Sequence, residues 1–193
     1  MNKDILFVID MQNAYTEGMA WYCKNINICV RNILKLLEIA TQSDARDVIF
    51  TKFIAPRDPK GAWVTYNTEN AAINADEYAN DIIDSLQSFL SKNNVYVKSQ
   101  YSALSAVKLY EEISNRSDAR IVVTGVVAEC CVLSTVMDLI DMGIPVIYLT
   151  DAVAGIDDVT EKAVLTILEG MAPIHVRCMT TQEYVDEFMT NSN

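Results

Sequence analysis

Short apolar runs alternate along this chain with longer stretches in which apolar positions recur at helical spacing. Asp4–Asp10 (DILFVID) is a compact run bounded by acids and predicts a first strand. Residues 26–40 carry Ile26, Val30, Ile33, Leu34, Leu37 and Ile39 close to a 3.6-residue period, which predicts a helix. Asp47–Lys52 predicts a second strand and Asn94–Lys98 a third, with a helix over 78–90 between them on the spacing of Ile82, Ile83, Leu86, Phe89 and Leu90. Leu104–Ile113 reads as a helix, Arg120–Val126 as a strand, Cys131–Met142 as a helix and Pro145–Thr150 as a strand. Asp158–Leu168 reads as a helix with an acidic start, Ile174–Cys178 as the last strand, and 182–189 as a short closing helix.

Six strands separated by amphipathic helices predict an α/β fold of three layers. An open, mostly parallel six-stranded sheet would have helices on both faces. Nothing in residues 1–193 marks a linker or repeat, so one domain is expected. The exception to the rhythm is Phe53–Ala75, which bears Pro, Gly and aromatics and reads as a long loop shaping a pocket.

Charge and composition narrow the partners. With 26 acidic against 15 basic side chains the net charge is −11, which opposes a nucleic-acid or acidic-membrane partner. The apolar window 121–140 contains Glu129 and Asp138 and reads as a strand followed by a helix, not a membrane span. The first residues are too short and too acidic for a signal peptide, and five cysteines without a leader suggest reduced thiols in a cytoplasm. The single histidine, His175, falls in the last predicted strand, which leaves zinc without its usual ligands and a Cys–His pair without support. No metal and no cofactor are expected.

In parallel α/β sheets ligands bind beyond the carboxyl ends of the strands. Asp10 ends the first predicted strand, Lys98 the third, and Cys130 and Cys131 lie just past the fourth. A cysteine at a strand–turn–helix junction sits at the positive end of a helix dipole, which favours thiolate. An acid, an amine and a thiol therefore meet on one edge if these strands are neighbours. Taken singly, each has a plain structural role; spacing does not choose between the two cysteines.

Three stretches resemble the isochorismatase-like cysteine hydrolase superfamily, which includes nicotinamidases and N-carbamoyl amidohydrolases. They are Val8-Ile9-Asp10-Met11-Gln12-Asn13, Lys98-Ser99-Gln100-Tyr101-Ser102-Ala103, and Thr124 to Thr135 (TGVVAECCVLST), with Asp151–Gly155 fitting a further strand end. The resemblance spans nearly the whole chain and implies Cys131 as nucleophile, Asp10 as proton carrier and Lys98 as their partner. It further implies an oxyanion hole from the backbone N–H groups of Val127 and Cys131 and a cis Val126–Val127 peptide. Gln12, Trp63 and Tyr101 are the candidates for touching substrate, although Trp63 reads first as a packing or interface anchor. Arg57 is either a carboxylate grip or a solvated loop residue, and Glu129 is expected to bond the backbone of the elbow. The nicotinamidase metal motif is missing, since Thr51–Lys60 contains no histidine.

The function implied is hydrolysis of a small amide, carbamoyl amine or ureide through a thioester. The alternatives are a vinyl-ether hydrolase protonating from Asp10, or a non-catalytic interaction or thiol-sensor protein. Family members associate, so a homodimer or homotetramer is expected.

Overall fold

The computed structural model describes residues 4–41, 47–116 and 119–191. Its six strands are β1 (Asp4–Ile9), β2 (Asp47–Phe53), β3 (Val95–Lys98), β4 (Arg120–Val126), β5 (Val146–Ala154) and β6 (Val176–Met179), in the order β3-β2-β1-β4-β5-β6. Every pairing between them is parallel. Parallel strands need crossovers, and the helices that supply them cover both faces.

Side-chain alternation sorts the core into two halves. Leu6, Val8, Val122, Ile147 and Leu149 point to one face, where α1 (Ile26–Thr41) and α8 (Thr181–Asn191) pack through Ile33, Leu37 and Tyr184. Ile5, Phe7, Ile9, Ile121 and Val123 point to the other. There α5 (Val107–Ser114), α6 (Leu133–Asp141) and α7 (Asp158–Glu169) bury Leu109, Ile113, Val136, Leu139, Val164 and Leu168. The near-continuous apolar strands follow from this double coverage. The 121–140 window is β4 followed by α6, and among the described residues no helix is long and apolar enough to cross a membrane.

Two expectations need correction. The helix over 78–90 is instead α4 (Glu77–Asn80) and a 3₁₀ segment, Asp84–Phe89. The spacing identified the buried side chains correctly, since Ile82, Ile83 and Leu86 are all in the core. Their backbone is diverted by tertiary pairing: Asn13 N–H donates to the Asp81 carbonyl, Ile83 N–H donates to the Met11 carbonyl, and Gln12 bridges Ile82 antiparallel. The Phe53–Ala75 segment is also not a plain loop. It holds α2 (Ala62–Glu69) and α3 (Ala71–Asn74), neither of which buries a residue fully. A helix with no fully buried face leaves little periodicity to read.

Strand order reverses between β1 and β4, the switch point where open α/β sheets bind ligands. The two strands approach closely at Gly125, whose φ is +112°. A Cβ there would lie 2.1 Å from the Ile9 carbonyl oxygen and 2.6 Å from its nitrogen. Only glycine fits, because backbone cannot yield as a flexible side chain would. Gly125→Ala should destabilise the fold by about 3 kcal/mol or more. A denaturant midpoint equal to wild type would refute the close approach.

Candidate active site

Three strand ends supply the site. Asp10 follows β1 with φ at +49°, a left-handed turn that aims its side chain along the sheet edge. Lys98 ends β3, two strands away across β2. Two strand spacings are roughly 9.5 Å, a gap that a long side chain is needed to span. Lys98 crosses over the Phe53 ring, 5.3 Å from its centroid, and places Nζ 2.6 Å from Asp10 Oδ2. Both side chains are fully buried.

Burying such a pair removes hydration from both charges, so the remaining valences must be filled. Asp10 Oδ1 accepts from the Thr51 hydroxyl at 2.7 Å. The Asp10 N–H donates to the Thr51 carbonyl and faces its hydroxyl, both at 3.2 Å. Lys98 Nζ donates to the carbonyls of Gln100 (3.0 Å) and Tyr101 (2.8 Å) and to Cys131 Sγ at 3.4 Å. The ammonium therefore contacts both the carboxylate and the thiol, and the thiol is also in hydrogen-bonding contact with Asp10.

Cys131 sits in a wide π-type turn, Ala128–Val132, that joins β4 to α6. The Val126–Val127 peptide leading into it is cis. Cys130 and Val132 N–H groups donate back to the Val127 carbonyl. The Thr135 hydroxyl donates to the Cys131 carbonyl at 2.6 Å and accepts from Ala103 N–H at 2.9 Å, tying the turn to the segment after β3. Glu129 Oε1 accepts from Ile156 N–H at 3.3 Å, so it braces the turn against the end of β5.

Electrostatics revise one expectation. Helix-dipole reasoning predicts a depressed Cys131 pKa, but burial raises it well above the ordinary thiol value. The Asp10 carboxylate raises it further, and Lys98 opposes both only in part. Desolvation outweighs one nearby cation when an anion also acts on the thiol. Burial and the carboxylate thus both favour keeping the proton on sulfur, and Lys98 favours its release.

Above the thiol lies a cavity of about 250 Å³. Its aromatic walls are Tyr15, Trp21, Tyr22, Phe53, Tyr66 and Tyr101, and Val127, Glu129, Cys130 and Cys131 also line it. Of the expected substrate contacts, Tyr101 lines this space. Trp63 stands behind it, 5.2 Å from the Tyr101 ring and 5.1 Å from Tyr66. Gln12 does not line the cavity. Its amide is consumed elsewhere, donating to the Phe53 and Asn80 carbonyls and accepting from Phe53 N–H. The residue that reads as a ligand contact is a bolt holding β2 to the β1 end. Arg57 is exposed and does not line the cavity, and His175 is exposed in the turn before β6, at the opposite edge of the sheet.

Residues 4–183 match the family model of the isochorismatase domain. The chain belongs to the isochorismatase family. Isochorismatase-family structures share its fold over most of their length. An isochorismatase family protein from Desulfovibrio vulgaris is 19% identical with a TM-score of 0.83, over 98% of this chain and 100% of the other. A cysteine hydrolase from Pseudomonas syringae pv. phaseolicola is 24% identical with a TM-score of 0.81, over 97% of this chain and 93% of the other. A pyrazinamidase from Pyrococcus horikoshii, solved in complex with zinc, is 17% identical with a TM-score of 0.73, over 92% of this chain and 99% of the other. No curated protein matches this sequence significantly.

Sequence reasoning missed Tyr15, Trp21 and Tyr22 as cavity walls. All three lie in the connection after β1, where a switch-point ligand would sit. It also missed Thr51 and Thr135, whose hydroxyls hold Asp10 and Cys131.

The balance of charges around the thiol can be measured by alkylation, which reads the thiolate. Asp10→Asn removes a carboxylate that raises the Cys131 pKa and leaves the Lys98 ammonium, so iodoacetamide should label Cys131 severalfold faster at pH 7.5. Lys98→Met should slow labelling. The reverse order would contradict the assigned proximities.

Proposed function

We propose that this isochorismatase-family protein is a cysteine hydrolase of small amides, carbamoyl amines or ureides, acting through a thioester on Cys131. The supporting observation is the buried Lys98 ammonium, 2.6 Å from Asp10 Oδ2 and 3.4 Å from Cys131 Sγ, beneath a cavity of molecular size. A buried acid–base pair beside a nucleophile is costly to maintain and has no packing advantage over apolar residues.

In the first half-reaction Asp10 takes the Cys131 Sγ proton as the sulfur bonds to the substrate carbonyl carbon. A thiol whose pKa is raised by burial suits this coupled transfer, because charge does not accumulate on sulfur before attack. Negative charge moves to the carbonyl oxygen, which the N–H groups of Val127 and Cys131 receive, an interaction worth about 3 kcal/mol of barrier. Asp10 then gives the proton to the leaving nitrogen, the C–N bond breaks, and the acyl group remains on sulfur. In the second half a water loses a proton to Asp10 and attacks the thioester. The C–S bond breaks, and the proton returns to Sγ. Lys98 holds Asp10 in place and offsets the charge that moves between carboxylate, sulfur and oxygen.

The P. horikoshii pyrazinamidase was solved in complex with zinc. Among the described residues no group of three or more His, Cys, Asp or Glu is arranged to hold a metal ion. Each step above uses only side chains and backbone of this chain, the substrate and one water.

Cys131→Ala should lower ammonia release by about 10³-fold or more from any compound the wild type cleaves. A panel of primary amides, carbamoyl amines and ureides, scored for ammonia, is the decisive measurement. The proposal fails if Cys131→Ala keeps wild-type turnover, or if no class in the panel releases ammonia.

A further inference from the structure

The cavity above Cys131 has an unusual charge inventory. Among the described residues, its lining includes one carboxyl side chain, Glu129, and no lysine, arginine or histidine. Tyr66 and Tyr101 are no source of charge either, since burial raises both phenol pKa values above normal. Lys98 lies beneath the thiol, but its ammonium is matched by Asp10 at 2.6 Å and turned toward the Gln100 and Tyr101 carbonyls. Two lysines close in sequence to lining residues are engaged too. Lys24, two residues from Tyr22, is paired with Asp158, and Lys52, next to Phe53, is paired with Asp81 at 3.0 Å.

The walls are the opposite of an anion site. Trp21 and Tyr66 rings lie 6.4 Å apart, and Tyr66, Trp63 and Tyr101 form a chain of edge-on and tilted ring contacts at 5.1 and 5.2 Å. Aromatic faces carry negative quadrupole charge and attract flat apolar groups or positive edges. A carboxylate placed there would lose its hydration, gain no ion pair and face Glu129.

We infer that this site takes amides or ureides whose remaining part is uncharged and flat or apolar, and discriminates against carboxylate-bearing analogues. The identity of the reacting group rests on the proposed cysteine chemistry, whereas the charge preference rests on the cavity walls. The inference separates substrates that the hydrolase reading leaves together. Carbamoyl amino acids, amide half-acids and acidic vinyl ethers all bring a carboxylate that these walls do not match.

Matched pairs test it: benzamide against 4-carbamoylbenzoate, and phenylurea against 4-ureidobenzoate. Affinity is measured by calorimetry on Cys131→Ala protein at pH 7.5, so that binding is read apart from turnover. Each neutral member should bind at least about tenfold tighter than its acid. Tyr22→Arg, which adds a cation at the exposed mouth, should narrow that gap by improving the acid. Acids that bind as tightly as their neutral partners, or neutral members that do not bind, overturn the inference. Ammonia release by the wild type is scored on the same four compounds. Selective binding without release would sink the hydrolase chemistry and leave the charge preference standing. Release from the acids alone would do the opposite.

Discussion

The buried ion pair between Asp10 and Lys98 is the constraint on which the rest of this site depends. Two full charges with no solvent exposure are tolerated only when their other valences are met. The protein meets them with the Thr51 hydroxyl on one side and the Gln100 and Tyr101 carbonyls on the other. Those partners in turn require β1, β2 and β3 to end at matching heights, which the parallel register Val8↔Phe50 and Phe53↔Lys98 provides. The same ammonium reaches Cys131, so the position of the thiol is tied to the same pair.

Around this pair the fold works as a set of braces. Gly125 lets β4 run against the Ile9 backbone and brings the cysteine turn beside Asp10. Thr135 joins that turn to Ala103, just after the strand that carries Lys98. Gln12 locks the end of β1 to Phe53 and Asn80, and Asn80 in turn bonds the carbonyls of Ile73, Asn74 and Asp76. The aromatic wall is thus mounted on the same elements that hold the ion pair, which is why a segment with no fully buried helix face keeps its shape.

The state of Cys131 illustrates how local and global electrostatics compete. A cysteine at the start of a helical segment invites a low-pKa reading, and a nearby lysine strengthens it. Neither consideration weighs burial or the neighbouring Asp10 carboxylate. Both act in the opposite direction, and together they prevail. The consequence is a site in which thiol, carboxylate and ammonium touch one another and act as one balanced unit.

The sequence by itself determined the strand–helix alternation, the six-stranded α/β class and the identity of Asp10, Lys98 and Cys131 as strand-end residues. Apolar period and chain order are local properties, and a doubly covered parallel sheet makes them strong. Only the tertiary structure decided what lies between those ends. The 78–90 segment follows backbone pairing with Met11 and Asn13 instead of its own helical spacing, because a long-range hydrogen bond outweighs a short stretch of propensity. The 62–69 helix has no buried stripe to betray it, and the roles of Gln12, Trp63 and Tyr15 depend on which groups face them across the fold. Periodicity records how much of a side chain is buried; it carries no record of what that side chain meets.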